Sequence, residues 1–269
     1  MTQNPTRTKA PVRLRPIALP AEHGGWSFVL EPILLGWLVA FSTAGLFYGI
    51  GMFFAFMARH PLKLALSDRR KGQCLARTPY AERFALGYGL TAAVAFGLAL
   101  LTGGPTPLVP LLIALPLFAL QAYWDGTGQS RELLTELSGP ATLAVIAASI
   151  TLAGGWSPLQ AVALWVLIVA RALPSILYVR ARLRRGRGQP FNRYSVNGAH
   201  SGALLLAFPL LDAGLIPITA LLALLLLLLR ATYGLLIAEP RVPAKVIGMQ
   251  EVIFGAVFVV LTAVGYVRL

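Results

Sequence analysis

Four polar residues follow one another along a strongly apolar stretch in the second half of the chain. Arg171, Ser175, Tyr178 and Arg182 are spaced by four, three and four residues, so a helix would place all four on one face. Guanidinium groups bind phosphate oxygens bidentately, and a tyrosine hydroxyl can transfer a proton. The stripe therefore predicts a surface on which Arg171 and Arg182 bind an anion and Tyr178 serves in acid/base chemistry.

Arg171 is also the residue most in need of a partner, because a guanidinium group cannot lose its charge inside an apolar segment. We expect it to be the only basic residue so deep in such a segment. The sequence offers three carboxylates as partners, Glu31, Glu136 and Glu251. A purely structural ion pair is therefore the alternative to anion binding at Arg171.

A second polar stripe lies near the start of the chain, where His23, Ser27 and Glu31 recur every four residues. Helical geometry puts Glu31 about 12 Å from His23 along the axis and on the same face. A carboxylate at that depth costs about 2.5–3.5 kcal/mol, so Glu31 should face the protein interior. His23 and Glu31 are thus further acid/base candidates, and a structural hydrogen bond is the alternative.

Basic residues also surround Pro61, which can kink a helix and free backbone carbonyl groups. Arg59 and Lys63 share a helical face next to His60, and these three side chains predict anion binding. The Arg-Arg-Lys run at 69–71 is more typical of contact with lipid phosphates.

Four weaker candidates complete the set of predicted substrate-binding residues: Glu136, Asn197, His200 and Glu251. A lone intramembrane histidine is as often a helix–helix hydrogen bond as a ligand. The charge pattern described below places all of these residues near one membrane face, however, and their convergence predicts a polar cavity open to the cytosol. The sequence predicts no metal site and identifies no cofactor.

Nine apolar stretches must position these residues. The chain has 269 residues, of which 57% are hydrophobic and 12% charged, and its mean hydropathy is +0.72; these values exclude an ordinary soluble domain. A helix of about 20 apolar residues crosses a bilayer. The predicted spans are 25–42, 45–64, 83–101, 107–123, 134–153, 159–179, 198–214, 216–237 and 247–267.

Charge alternates between the gaps that separate these stretches. Almost all of the 23 Lys and Arg lie in the N-terminal tail or after the even-numbered stretches, whereas "STAG", "TGGPTP" and "GGWSP" carry no charge. A chain that threads a membrane repeatedly shows this pattern through the positive-inside rule. The expected fold is an all-α integral membrane protein of nine transmembrane helices in the bacterial inner membrane, with a cytoplasmic N-terminus and an external C-terminus.

This threading divides the chain into a basic cytoplasmic tail, 1–20, and a single transmembrane domain, 21–269. The basic residues behind the net charge of +13 are interleaved with apolar runs, so anionic lipid head groups explain the charge better than nucleic acid does. The expected partners are membrane lipids, including an isoprenoid or other anionic lipid as substrate. The sequence leaves the oligomeric state open.

Three segments carry a resemblance to a known family: "LPAEHGGWSFVLEPILLG", "RHPLKLALSDRRKG" and "ILYVRARLRRGRG". Together they resemble the YwiC-like family of bacterial membrane proteins, over essentially the whole chain. This family has no firmly assigned activity, so the resemblance implies no particular reaction.

A more distant resemblance is to the UbiA-type intramembrane prenyltransferases. Their nine spans share the expected orientation, their polar motifs follow the second and sixth spans, and "ELLTELSG" looks like the element before their fifth span. Those enzymes hold Mg²⁺ on a prenyl diphosphate with two aspartate-rich motifs. Here the first region has only Asp68 and the second has no carboxylate between Arg171 and Asn197, so the metal site does not carry over.

Three functions remain open. In the first, a UbiA-like transferase or lyase acts on a lipid or isoprenoid phosphate, which basic side chains hold in place of a metal. In the second, the same basic cavity binds a small anion or metabolite for transport, with Glu31 and His23 as a proton-coupling pair. In the third, the chain is a non-catalytic scaffold, which would not explain so many intramembrane charges.

Overall fold

The computed structural model describes residues 13–20, 23–127, 133–239 and 241–268, and all regular secondary structure in these ranges is helical. The helices are α1 (Arg15–Ala18), α2 (His23–Val39), α3 (Thr43–Arg70), α4 (Thr78–Gly103), α5 (Val109–Thr127), α6 (Leu133–Leu143), α7 (Val145–Ala153), α8 (Pro158–Gly186), α9 (Arg193–Asp212), α10 (Ile218–Leu236) and α11 (Ala244–Tyr266), with a 3₁₀ turn at Thr106–Leu108 before α5.

Each of the nine apolar stretches is helical in the described part of the chain, and the fifth is divided into α6 and α7 at Ala144. Pro61 does not end α3, which continues to Arg70. The expected turn between the seventh and eighth stretches is present. Gly214 adopts a φ of 66° there, which glycine reaches without strain, and Pro217 precedes α10.

Among the described residues, five helical segments are long and apolar enough to cross a membrane: α4, the α6–α7 segment from Glu136, α8, α10 and α11. α2 and the 3₁₀–α5 segment contain shorter apolar stretches. This composition is that of a helical membrane protein. The nine-span topology and the side of the membrane on which each terminus lies stay predictions from the sequence.

The connections between helices form two chemically different sets, one at each end of the bundle. At one end the connections 40–42, 104–108, 154–157 and 213–217 contain no charged residue. Two aromatic side chains at this end donate to main-chain carbonyls. Trp37 Nε1 donates to the Gly45 carbonyl over 2.9 Å, and Tyr266 Oη donates to the Leu215 carbonyl over 3.0 Å.

The opposite end of the bundle is basic. Arg185 Nη1 donates to the Gly234 and Ala238 carbonyls, and Arg182 Nη1 donates to the Glu239 carbonyl, each over 2.9 Å. These guanidinium groups satisfy carbonyls that the end of α10 leaves unpaired, and they oppose the negative end of its dipole. The two ends therefore differ in charge, in keeping with the alternation along the sequence.

A buried carboxylate holds the α3–α4 connection at the basic end. Asp68 is only 1% exposed and accepts from Arg77 Nε at 3.1 Å, Arg77 Nη2 at 2.7 Å and Thr78 Oγ1 at 2.9 Å. The Arg77 guanidinium holds the pKa of this carboxyl below its usual value by stabilising the charged form. The Asp68 carboxylate therefore holds the turn between α3 and α4 in place.

The two largest apolar clusters among the described residues lie on either side of α2 and α7. One cluster joins helices α8 to α11 and includes Leu164, Leu227 and Phe258. The other joins α3 and α5 and includes Tyr48 and Met52. Because α2 and α7 contribute to both clusters, they separate the bundle into two halves.

Candidate functional site

The polar stripe predicted on α8 lies inside the protein, where each of its four side chains is at most 3% exposed. Arg171 pairs with Glu31 of α2, with 3.0 Å between Nη2 and Oε1. The same nitrogen donates to the main-chain carbonyl of Glu251 on α11, over 3.3 Å. Two of the three acidic residues expected near Arg171 therefore contact it, one through its side chain and one through its backbone.

A glycine permits this pairing. A Cβ atom at Gly255 of α11 would collide with Glu31 Oε1 and would lie 2.7 Å from Arg171 Nη2. Any larger residue would have to push the ion pair aside. Gly255 is thus part of the arrangement although it carries no functional group.

Arg230 is a second deeply buried arginine, and it shows that the expectation of a single one at Arg171 is wrong. Its side chain, on α10, forms an ion pair with Glu251 and donates to Ser175 Oγ over 3.3 Å. Its Cζ atom lies 4.1 Å from the Tyr178 ring centroid, a cation–π contact. The sequence does contain the signal, because Arg230 interrupts a run of leucines and so requires a carboxylate partner.

We call Glu31, Arg171, Arg230 and Glu251 the ion-pair cluster. Their formal charges sum to zero, and their contacts connect α2 to α8 and α10 to α11. Placing a charge in a low-dielectric interior costs several kcal/mol, and pairing offsets that cost. The composition of the cluster therefore indicates a structural role, because its two acidic and two basic side chains pair with one another.

Some polar atoms beside the cluster make no hydrogen bond with the described residues. His200 Nδ1 donates to the Val196 carbonyl over 2.9 Å, but its Nε2 is buried without a partner. Ser27 Oγ lacks one as well. Glu31 Oε1 likewise accepts no hydrogen bond from the described residues, although it lies 3.0 Å from Arg171 Nη2. Buried groups of this kind usually bind internal water.

A cavity of about 590 Å³ lies in the other half of the bundle, between α3, α5 and α6. We call it the α3–α5–α6 cavity. Six large apolar side chains line it: Met52, Phe56, Leu62, Leu66, Phe118 and Leu143. Four basic residues line it as well: Arg59, Lys63, Arg70 and Lys71.

The basic residues of the cavity all come from the C-terminal half of α3. Arg59 and Lys63 are four residues apart and therefore share a helical face, as the sequence predicts. Arg70 and Lys71 lie at the basic end of the bundle, where α3 stops. The cavity is consequently apolar at its deep end and cationic toward its outer end.

The cavity also opens sideways. Leu62 and Leu66 line it, yet they are 48% and 45% exposed. Leu62 lies within the predicted span 45–64, and Leu66 lies two residues beyond it. The side opening therefore lies near the predicted surface of the membrane.

α6 forms one wall of the cavity, and hydrogen bonds tie it to α8 and to α5. Arg180 of α8 donates to Glu136 over 2.5 Å, and Ser138 Oγ donates to Gln121 Oε1 of α5 over 3.0 Å. About a third of each ion-pair side chain is exposed, 30% for Arg180 and 34% for Glu136. Glu136 is thus paired near the cavity and not with Arg171.

The predicted site residues do not line one shared cavity. They fall into two groups. The group that lines the α3–α5–α6 cavity is Arg59 and Lys63. The group in or beside the ion-pair cluster, which does not line that cavity, is Glu31, Arg171, Tyr178, His200 and Glu251. The separation follows from the fold, because α2 and α7 stand between the two halves of the bundle.

The other predicted residues lie apart from both groups. His60 Nε2 donates to the Pro16 carbonyl over 3.0 Å, Arg182 caps α10, and Asn197 Oδ1 is buried without a hydrogen bond to the described residues. The His23 side chain lies outside the part of the chain that the structure describes. Within that part, no three His, Cys, Asp or Glu side chains come together to hold a metal ion.

The helical bundle and its charge distribution define this chain as a membrane protein. A family model described as YwiC-like protein matches residues 19–152, which include all three helices of the α3–α5–α6 cavity. The chain belongs to the YwiC-like family. No curated protein and no solved structure matches it, so the resemblance to UbiA-type prenyltransferases stays a prediction.

Proposed function

We propose that the chain binds a lipid or isoprenoid that carries a phosphate group in the α3–α5–α6 cavity and acts on it as a membrane transferase. The observation that supports this proposal is the composition of the cavity, where four cations of α3 stand beside six large apolar side chains. A ligand that satisfies both kinds of surface is an amphiphile with an anionic head.

The cations favour phosphate over other head groups. Arg59 and Lys63 lie one helical turn apart, about 6 Å along α3. Guanidinium and ammonium groups form charge-assisted hydrogen bonds with phosphate oxygens, and these bonds are stronger in apolar surroundings than in water. A phosphate group also matches the positive charge of this surface better than a neutral head group does.

The side opening at Leu62 and Leu66 favours a substrate that arrives from the bilayer. Transport of a small anion or metabolite is the second candidate, because the same cations would attract such a solute. The large apolar walls of the cavity, however, give a small hydrophilic solute nothing to pack against. The geometry therefore supports a lipid substrate better.

In the proposed transfer, the bond between the substrate carbon and the phosphate oxygen breaks, and the phosphate leaves with the electron pair. The acceptor forms its bond to that carbon and gives up a proton. The α3 cations would stabilise the charge of the leaving phosphate. The proposal gives Glu31 and Tyr178 no acid/base role, because they contact the arginines of the ion-pair cluster and neither lines the cavity.

Binding and turnover can be measured on the protein in lipid nanodiscs, using prenyl phosphates, prenyl diphosphates and alkyl phosphates as ligands. Native mass spectrometry reports the bound ligand, and chromatography of extracted lipids reports any product. We expect Lys63→Gln to weaken binding by about 10- to 100-fold, the loss of one charge-assisted interaction of about 1.5–3 kcal/mol.

Arg69→Gln is the matched control, because Arg69 lies on the same helix, pairs with Glu82 and does not line the cavity. Undiminished binding in Lys63→Gln, or an equal loss in both variants, would contradict the proposal. Binding without turnover, combined with uptake of small anions into proteoliposomes, would favour the transport alternative.

A further inference from the structure

The α3–α5–α6 cavity is elongated and closed at its deep end. Its lining follows α3 from Met52 to Lys71, a length of about 28 Å at 1.5 Å per residue. The deepest lining residues are Met52, Phe56, Phe118 and Leu143, and these side chains belong to, or pack against, the apolar core of that half. The cavity therefore ends against packed protein.

The deep part of the cavity is about as long as one leaflet of a bilayer. Met52 and Lys63 are about 16 Å apart along α3. One leaflet contributes half of the hydrocarbon core, about 15 Å. A lipid whose head binds at Lys63 would thus reach the closed end with a tail no longer than that of its neighbours in the membrane.

We infer that the ligand is a single-chain amphiphile whose phosphate binds at Arg59 and Lys63 and whose tail, about one leaflet long, ends against Met52 and its neighbours. This inference rests on the proposed function and narrows its substrate class. The cavity volume of about 590 Å³ lies within the range of pockets that hold one small ligand. A long polyprenyl chain does not fit between Lys63 and the closed end, so its far part would have to extend out of the cavity.

The side chains at the closed end then determine which tail length binds best. The test uses the full-length protein in nanodiscs and an equimolar mixture of n-alkyl phosphates of increasing chain length, with bound species measured by native mass spectrometry. We expect the wild-type protein to select one length and to reject longer chains. Met52→Ala should raise the preferred length by about two to three methylene groups, the space that the substitution opens.

Met57→Ala is the matched control. Met57 lies on the same helix and in the same apolar cluster and is 4% exposed, but it does not line the cavity. This variant should therefore keep the wild-type preference. Phe118→Leu is a second, milder enlargement of the closed end, and it should shift the preference in the same direction if Met52→Ala does not fold.

The outcomes separate this inference from the proposed function. If alkyl phosphates bind but the wild-type affinity does not depend on chain length, the inference is wrong and the proposed function stands. The same holds if neither enlargement moves the preferred length. If no alkyl phosphate binds at all, both are wrong.

Discussion

The two halves of the bundle place basic residues among apolar side chains in opposite ways. In the ion-pair cluster, Arg171 and Arg230 each lie against a carboxylate. In the α3–α5–α6 cavity, Arg59 and Lys63 line an open volume beside large apolar side chains. The first arrangement joins helices, and in the proposed function the second presents positive charge to a ligand.

This difference shows that a charge inside a membrane protein does not identify a binding site by itself. Intramembrane ionisable residues are rare enough that each of them suggests function. Their surroundings decide between the alternatives. Loss of one member of a buried pair leaves an unpaired charge and weakens the fold, whereas loss of a cation beside a cavity weakens ligand binding.

The largest effect on stability should come from Arg171→Leu, which leaves the Glu31 carboxylate buried without its partner. We expect the free energy of unfolding to fall by about 3–5 kcal/mol. Lys63→Leu, the counterpart in the cavity, should lower it by less than Arg171→Leu does, because Lys63 borders an open volume and is not fully buried. Denaturant unfolding in detergent measures both, and equal losses in the two variants would remove the distinction between the two halves.

A methyl group at Gly255 should have the next largest effect, because its Cβ would displace the Glu31–Arg171 pair. We expect Gly255→Ala to lower the free energy of unfolding by about 1–3 kcal/mol. Gly248→Ala on the same helix is the control, since a Cβ there meets nothing within 4 Å. If the two variants unfold alike, the ion pair does not depend on close approach of α11.

Asp68→Asn tests the structural carboxylate in the half that contains the cavity. We expect a loss of about 1–2 kcal/mol at neutral pH, because the charged partner of Arg77 is removed. Arg77 holds the folded-state pKa of Asp68 below the usual 3.8. The stabilisation is therefore complete above the unfolded-state pKa and is lost as the pH falls through the folded-state pKa.

Unfolding of wild type and Asp68→Asn at neutral pH and at about pH 3 measures this dependence. The difference between the two proteins should shrink at the lower pH. A difference that stays constant would show that the charge of Asp68 does not hold the turn.

The smallest effect on stability should come from Glu136→Gln. Its ion pair with Arg180 is about one-third exposed, and such pairs contribute about 0.2–1 kcal/mol. Thermal unfolding in the same detergent should detect little change. If Glu136→Gln lowered the free energy of unfolding as much as Arg171→Leu does, the ion pair at the cavity wall would be as important for stability as those of the ion-pair cluster.

Much of the fold could be predicted from the sequence, because the length of an apolar run and the charge of its flanks are local properties. The turn between α9 and α10 could be predicted for the same reason, from Gly214 and Pro217. The division of the fifth stretch at Ala144 could not be predicted, since the residues around it are ordinary helix formers.

The candidate site could be predicted only in part. Spacing alone places the α8 stripe on one face, but the partner of Arg171 depends on how α2 and α11 pack against α8. The void beside Arg59 depends likewise on how α5 and α6 pack against α3. The burial of Arg230 was not predicted, because this residue lies near the end of its apolar stretch, where a basic residue is typical of a topology signal.

The most direct test of the lipid site uses an alkyl phosphate with a photoreactive group at the end of its tail. The protein in nanodiscs is illuminated with this probe, and peptide mass spectrometry locates the label. We expect the label in the segments 52–56, 118–121 and 139–143, and we expect an excess of unlabelled alkyl phosphate to reduce it. Label concentrated on α8, α10 and α11, or label that the competitor does not reduce, would contradict the proposal that the cavity binds a phosphate-bearing lipid.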